Sequence, residues 1–193
     1  MNVAWLGPPS DDLERYVVSL ADSVRRTEEK VTPESEIIPW ADFLISYGYR
    51  HIISKSVLVR FSRRAINLHI SYLPWNRGAD PNVWSFLDDT PKGVTIHYLD
   101  EGLDTGDILI QRTVAHRPDD TLRSSYDRLK AAVEALFVET WPHIRTGRQP
   151  SFPQPPGGSC HRSRDRAAIE HLLTQGWETP VADLIGKALV SRK

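Results

Sequence analysis

Short apolar segments of strand type alternate with segments of helical periodicity along the chain, and this alternation restricts the fold more than any other feature. The strand-type segments are Asn2–Leu6, Asp42–Arg50, Ile66–Ile70 and Gly93–Asp100. The last of them alternates apolar and polar residues, which predicts a half-buried strand. Strands that alternate with helices over 193 residues predict an α/β domain whose sheet is largely parallel.

Helices are predicted where apolar residues recur every three or four positions. They cover 13–24, a short helix at 51–62, a segment that begins at Pro81, and Leu122–Ile144. Four prolines and two glycines in Arg148–Ser159 then predict a linker, and two short helices are expected after it, Asp165–Leu173 and Glu178–Leu189. We therefore expect a main domain at 1–147 and a linker with a small helical appendage at 148–193.

Composition argues against several classes of protein. The chain has 24 Lys and Arg residues against 25 Asp and Glu residues, so it lacks the basic excess that is typical of nucleic-acid binders. No apolar stretch has the length of a membrane span, and the N-terminus does not resemble a signal peptide. Cys160 is the one cysteine, which leaves no internal disulfide and no zinc-type spacing. We expect a soluble, cytoplasmic protein that binds neither nucleic acid nor membrane.

Two polar residues interrupt the apolar segment that begins at Ile66. Side chains alternate along a strand, so Asn67 and His69 point to one face, and both lie near the carboxyl end, where open α/β sheets bind ligands. They are either buried polar groups satisfied by a neighbouring loop or part of a site. An acidic loop after the next strand, 100–107, favours a site, because a carboxylate beside His69 would fix its tautomer and stabilise its charged form. Asn, His and Asp in one pocket suit acyl transfer.

Two motifs carry a specific resemblance. N-L-H-I-S-Y-L-P-W-N-R-G-A-D-P at Asn67–Pro81 is followed by G-V-T-I-H-Y-L-D-E-G-L-D-T-G-D-I-L at Gly93–Leu109. Together they resemble the core of the formyltetrahydrofolate-dependent formyltransferases, over about Asp42–Val114. The resemblance implies a Rossmann-like open sheet flanked by helices, with 1–147 as the catalytic domain and a shortened N-terminal part that leaves room for one strand near Glu29–Val31.

The resemblance implies a catalytic trio of Asn67, His69 and Asp104, with N10-formyltetrahydrofolate as co-substrate and no metal. Formyl transfer to an amine passes through a tetrahedral oxyanion. Asn67 would donate a hydrogen bond to that oxygen, His69 would add a contact or relay a proton, and Asp104 would orient His69 and take the proton of the amine. Asp104 is preferred within the acidic loop because the matching aspartate of the family lies in the L-D-T-G segment.

The resemblance also implies which residues contact the folate. They are Ser46, Tyr47, Gly48, Tyr49, Leu99, Asp100 and Glu101. Gly48 is either part of this contact or only a tight turn, and Asp100 and Glu101 are either contacts or ordinary turn acids.

The acceptor is expected to be a nucleotide-linked amino deoxysugar, because W-N-R-G-A-D-P-N-V-W resembles the sugar N-formyltransferases most. Trp75, Asn76 and Arg77 would line the acceptor side, an aromatic face suiting a sugar or base and Arg a diphosphate. Two alternatives remain open: Trp75 is a packing residue, and Arg77 is the partner in a structural ion pair. Other small amines, glycinamide ribonucleotide or a hydroxyornithine-type siderophore precursor, are alternatives, as is a non-catalytic folate-binding relative. The C-terminal tail packs on the core or on a partner chain, so a homodimer is possible.

Overall fold

A computed structural model describes residues 1–190, and its elements follow the predicted alternation. The strands are β1 Asn2–Leu6, β2 Ser23–Thr27, β3 Phe43–Ser46, β4 Ala65–His69, β5 Arg77–Gly78, β6 Gly93–Tyr98, β7 Ile108–Thr113 and β8 Cys160–His161. The helices are α1 Asp11–Ser19, α2 Ile37–Trp40, α3 Lys55–Leu58, α4 Pro81–Leu87, α5 Leu122–Ile144 and α6 Lys187–Val190.

Six of these strands form one sheet in the order β2-β1-β3-β4-β6-β7. The pairs β1/β2, β1/β3 and β3/β4 are parallel. The β6/β7 pair is antiparallel, since Tyr98 N–H donates to Asp107 O while Val114 N–H donates to Lys92 O. Strands β5 and β8 form a separate parallel pair. The expected α/β class with a mostly parallel sheet is confirmed.

The chain divides into two compact units, each made of several stretches. The first comprises Met1–His69, Ile96–Ile110 and Glu134–Pro153. Its core includes a cluster around Leu6, Ile38, Leu44, Val57 and Phe61, all 1% exposed or less. These side chains come from β1, β3 and the helices that follow, so burying them holds the carboxyl ends of the parallel strands in place.

The second unit comprises Ile70–Thr95, Gln111–Val133 and Gln154–Lys193. One of its clusters packs α4 residues Val83 and Phe86 with Leu122, Val181 and Leu184. Helix α5 has residues in both units, and its predicted apolar face is buried at Leu122, Leu129, Val133, Leu136 and Phe137, while Tyr126 is half-buried. The division into a domain at 1–147 and an appendage at 148–193 stays a prediction.

Three expectations about the sheet and its first helix were wrong. The strand placed near Glu29–Val31 lies at β2, Ser23–Thr27, and the helix expected to reach Val24 ends at Ser19. Val24 fits a helical period, but it pairs with Val3 in the sheet, and Ala21 has a positive φ of 63° that ends the helix before it. Strand β6 is buried along its whole length rather than on one face, so both of its faces are covered, as is typical of interior strands in α/β sheets.

The short helices were predicted too long. The segment 51–62 contains α3 and a single 3₁₀ turn at Val59–Phe61. The helix expected at Asp165–Leu173 is a succession of 3₁₀ turns, Ser163–Ala168 and Glu170–Leu172. Glu178–Leu189 holds a 3₁₀ turn at Val181–Asp183 and then α6. The last residues of the predicted appendage, 191–193, lie outside the described residues.

Among residues 1–190, none of the helices combines the length and the apolar character that crossing a membrane requires.

Candidate active site

The predicted trio meets in the first unit, at the carboxyl end of β4. Asn67 and His69 lie two residues apart on β4, and Asp104 lies in the loop between β6 and β7. Asn67 Nδ2 donates to Asp104 Oδ1 at 3.1 Å, and His69 Nε2 lies 3.9 Å from Asp104 Oδ2. The longer distance is that of an ion pair rather than a hydrogen bond. Asp104 therefore holds Asn67 directly and acts on His69 through its charge.

His97 on β6 is a fourth member of this cluster and was not among the residues predicted from the sequence. It is fully buried, and its Nε2 lies 3.4 Å from Asn67 Nδ2 and 3.5 Å from Asp104 Oδ1. Its Nδ1 lies 2.8 Å from the backbone carbonyl of Tyr98. A carbonyl only accepts hydrogen bonds, so Nδ1 carries a proton and Nε2 faces Asn67 and Asp104.

A signal for His97 was present in the sequence. The alternation that singled out Asn67 and His69 also applies to β6, where a histidine interrupts a segment that packs on both faces. A buried polar side chain in such a strand needs a partner. The segment was interpreted only as a half-buried strand, in which polar residues on one face need no explanation.

The acidic loop is braced so that Asp104 faces the cluster. Asp100 accepts hydrogen bonds from Gly102 N–H at 3.1 Å and from Thr105 Oγ1 at 2.7 Å. Gly106 lies so close to the strand that a Cβ there would be 2.0 Å from Tyr98 O. Asp104 itself has a positive φ of 53°, a conformation that aspartate tolerates better than most residues. Asp100 therefore closes the loop by a turn hydrogen bond, whatever else it contacts.

The residues expected to contact folate lie at the end of β3 and on the loops after β3 and β6 in the same unit. Ser46 is buried and is the register partner of Asn67. Gly48 turns the chain with φ at 66°. Leu99 N–H donates to Ala65 O, and Glu101 forms an exposed ion pair with Lys55 at 2.6 Å.

The two tyrosines after β3 have structural contacts of their own. The Tyr47 hydroxyl donates to Glu134 Oε1 at 3.0 Å. The Tyr49 hydroxyl donates to Glu29 O at 2.7 Å and accepts from Val31 N–H at 2.9 Å. Burial raises the pKa of Tyr49, against the opposing effect of that N–H. Their side-chain hydroxyls thus anchor the loop, which leaves backbone groups and ring faces for a ligand.

These loops offer what a reduced pterin ring with an amide edge requires. Backbone N–H and C=O groups at strand ends pair with such an edge, and apolar side chains cover its faces. Ile52 and Leu103 are large apolar side chains on these loops that are 78% and 38% exposed. Folate contact by the seven predicted residues stays a prediction. In the described part of the chain, no three His, Cys, Asp or Glu side chains are grouped as metal ligands.

Trp75, Asn76 and Arg77 belong to the second unit. Asn76 is buried, and its Nδ2 donates to Thr90 Oγ1 at 2.7 Å. Arg77 donates through Nη2 to Gly157 O at 3.2 Å, and its Nε is buried without a hydrogen-bond partner among residues 1–190. Trp75 is half-buried. Structural contacts are visible for Asn76 and Arg77, and the acceptor role of all three stays a prediction.

The comparisons with known proteins agree with this geometry. A family model described as formyl transferase matches residues 9–141. The curated methionyl-tRNA formyltransferase of Agathobacter rectalis is 40% identical over 145 residues, which are 75% of this chain and 46% of that protein. That of Listeria monocytogenes is 34% identical over 78% of this chain and 49% of its own length. The chain thus spans about half the length of the curated relatives it matches.

Solved structures add a relative of matching length. The formyltransferase PseJ of Anoxybacillus kamchatkensis, in complex with UDP-4,6-dideoxy-4-formamido-L-AltNAc and tetrahydrofolate, is 53% identical with a TM-score of 0.95, and the match covers 97% of this chain and 100% of that one. A sugar N-formyltransferase of a Shewanella species has a TM-score of 0.81 at 20% identity and shares the fold. The family expected from the two motifs is confirmed: this chain belongs to the formyl transferase family.

Proposed function

We propose that the chain is an N-formyltransferase that moves a formyl group from N10-formyltetrahydrofolate to the 4-amino group of a UDP-linked 4-amino-4,6-dideoxysugar. The observation that carries the proposal is the full-length similarity to PseJ, whose complex holds tetrahydrofolate and a UDP-linked 4-formamido sugar. Removing the formyl group from that sugar leaves the 4-amine, and adding it to tetrahydrofolate gives the donor. The complex therefore corresponds to the two products of the reaction.

The trio has the chemistry for this reaction. The amine nitrogen bonds to the formyl carbon, and the bond from that carbon to N10 breaks. Asn67 uses one N–H of its carboxamide to stabilise the oxyanion, while its other N–H is shared by Asp104 Oδ1 at 3.1 Å and His97 Nε2 at 3.4 Å. Asp104 accepts the proton that the attacking amine loses, and the imidazolium form of His69, 3.9 Å from Asp104, donates its proton to the leaving nitrogen. Transfer of the proton from Asp104 to His69 then restores both side chains.

Burial strengthens this arrangement. The side chains of His69 and Asp104 are 8% and 11% exposed, so water screens their charges little. His97 accepts a hydrogen bond from Asn67 through Nε2 and so helps to hold Asn67 against Asp104. Hydrogen bonds and charges that are already in place cost no reorganisation when the oxyanion forms.

Other acceptors compete with the sugar. The curated relatives bear the name methionyl-tRNA formyltransferase, and glycinamide ribonucleotide and hydroxyornithine remain small-amine alternatives. Full-length similarity to PseJ at 53% identity favours the sugar. The proposal includes a reaction in the cytoplasm without nucleic acid or membrane as partner, and homodimer formation, which size-exclusion chromatography with light scattering tests directly.

The test is a turnover assay with purified protein and N10-formyltetrahydrofolate, followed by the absorbance of the tetrahydrofolate released. The acceptors are UDP- and dTDP-linked 4-amino and 3-amino sugars, glycinamide ribonucleotide, hydroxyornithine and methionyl-tRNA. We expect turnover with the UDP-linked 4-amino sugar and mass spectrometry to find the formamide. Turnover with another acceptor alone would overturn the sugar assignment. Folate binding by calorimetry without any turnover would instead favour a binding protein.

A further inference from the structure

The second unit contains a hollow of about 360 Å³ whose walls combine apolar, aromatic and charged side chains. Its volume is in the range of small-molecule sites. Ile70 contributes to its lining, and Ile70 directly follows His69 in the chain. Tyr126 and Trp177 supply aromatic surface, and Arg123, Asp127 and Asp80 supply charge.

The aromatic side chains form an exposed platform. Trp177 is 45% exposed, whereas Trp5 and Trp141 are fully buried. Tyr126 packs edge-on against Trp177 at a centroid distance of 5.2 Å and an angle of 71°. A tryptophan that lines a hollow with nearly half its surface in water offers a flat apolar face to a planar ring. Nucleobases stack on such faces.

The charged side chains suit the remainder of a nucleotide. Asp127 is exposed and lines the hollow, so its carboxylate can accept hydrogen bonds from the hydroxyl groups of a ribose. Arg123 forms an ion pair with Glu178 in which both side chains are 57% exposed. Such surface pairs contribute little free energy, so the guanidinium can turn to a diphosphate, which it binds in a bidentate manner. Asp80 is already paired with Arg166 at 3.3 Å.

We propose that this hollow binds the nucleoside diphosphate end of the acceptor. The base stacks on Trp177, Asp127 accepts hydrogen bonds from the ribose hydroxyls, and Arg123 exchanges Glu178 for the diphosphate. This assignment rests on the proposed function in taking the acceptor to be nucleotide-linked. It differs from the sequence-based expectation, which gave the acceptor side to Trp75, Asn76 and Arg77.

The first experiment measures binding of UDP alone by calorimetry, which requires no turnover. We expect Trp177→Ala to raise the Kd for UDP about tenfold to a hundredfold, the usual effect of losing a base–aromatic stack, and Trp177→Phe to restore part of the affinity. Asp127→Asn keeps the side-chain shape and should raise the Kd about tenfold, because a hydrogen bond to a charged group is lost. It also serves as the informative variant should Trp177→Ala fail to fold.

Two variants are matched controls. Phe152→Ala removes an aromatic ring of the first unit that is 48% exposed, and Asp183→Asn neutralises an exposed acid of the second unit; neither residue lines the hollow. Both should bind UDP as the wild type does. Equal binding of UDP by the wild type, Trp177→Ala and Asp127→Asn would overturn the assignment.

Turnover separates this inference from the proposed function. In the Trp177 and Asp127 variants we expect the KM for the UDP-linked amino sugar to rise in parallel with the Kd for UDP, with the KM for N10-formyltetrahydrofolate unchanged. If the wild type formylates the sugar but has no measurable affinity for UDP, the proposed function stands and the assignment of the hollow as the nucleotide site is wrong. If the wild type binds UDP through Trp177 but formylates no nucleotide-linked amine, the assignment of the hollow as the nucleotide site stands and the proposed function is wrong.

Discussion

Asp104 is the residue on which the site depends most. Its carboxylate accepts from Asn67 and faces both His69 and His97, so one charge orients three side chains. We predict that Asp104→Asn lowers kcat by about a hundredfold or more, the usual contribution of an acid–base or oxyanion group. Steady-state kinetics with the UDP-linked 4-amino sugar measure this.

Asp107→Asn is the matched control in the same loop. Asp107 lies 3.7 Å from Arg63 in an ion pair, with its side chain 42% exposed, and it should tolerate neutralisation with kcat within about threefold, as exposed pairs contribute little. If Asp104→Asn retained wild-type kcat while Asp107→Asn lost it, the assignment of the catalytic carboxylate would be wrong.

His97 is predicted to be a positioning residue. It contacts Asn67 and Asp104 but lies fully inside the protein. His97→Leu removes both contacts and should lower kcat about a hundredfold, because small displacements of reacting groups have effects of that size. His97→Gln retains a hydrogen-bonding side chain and should recover part of kcat. If the role were packing alone, His97→Leu would match or exceed His97→Gln in activity.

At the scale of elements, the β6–β7 loop depends on a close backbone approach. A Cβ at Gly106 would lie 2.0 Å from Tyr98 O, a backbone atom that cannot rotate away. We predict that Gly106→Ala displaces the loop that carries Asp104, lowers kcat about a hundredfold and lowers the melting temperature. Gly147→Ala is the control, since a Cβ there meets nothing within 4 Å and only its positive φ opposes the change, at about 1 kcal/mol. Unchanged kcat in Gly106→Ala would show that the loop has another way to hold Asp104.

The start of α5 depends on Asp120, which is 3% exposed. Its carboxylate pairs with Arg128 and also accepts from Arg117 N–H and Ser124 Oγ. The Arg128 hydrogen bond holds the pKa of Asp120 well below its usual range, against the raising effect of burial. A lowered folded-state pKa stabilises the fold above the unfolded-state pKa and loses that effect as pH falls.

Asp120→Asn tests this pair. We expect the variant to lose about 2 to 3 kcal/mol of unfolding free energy at pH 7, the value of hydrogen bonds to charged groups. Below about pH 3.9, the unfolded-state pKa, the wild type's advantage should shrink by about 1.4 kcal/mol per pH unit. Urea denaturation at pH 7, 4 and 3 measures it. A difference that stayed constant over this range would contradict the linkage to Asp120.

How far sequence patterns predict these elements depends on their length. The 23 residues of α5 repeat the helical period several times, and its bounds were predicted correctly. The 3₁₀ turns at Ser163–Ala168 and Glu170–Leu172 are too short for apolar spacing to separate them from an α-helix. Asn67 and His69 were identified by strand alternation. Asp104 was identified only through the family motif, because no local sequence pattern indicates which acid of a loop faces the site. His97 was not identified because its strand was predicted to be half-buried, whereas it is buried on both faces.

At the scale of the whole molecule, ligand binding should stabilise the fold even where catalysis is lost. A ligand that binds only the folded chain raises its unfolding free energy, by about 2.7 kcal/mol at a hundred times Kd. We predict that tetrahydrofolate raises the melting temperature of the wild type and of Asp104→Asn equally. Asp104 is assigned to proton transfer and to orienting Asn67 and His69, and the predicted folate contacts are other residues.

Thermal denaturation followed by circular dichroism, with and without tetrahydrofolate, measures this effect. Asp107→Asn again serves as control and should respond as the wild type does. Equal stabilisation together with the loss of kcat would place Asp104 in the chemical step, because binding to the ground state would be intact. If Asp104→Asn lost the stabilisation, its carboxylate would contribute to folate binding itself, and the fall in kcat would need to be divided between binding and proton transfer.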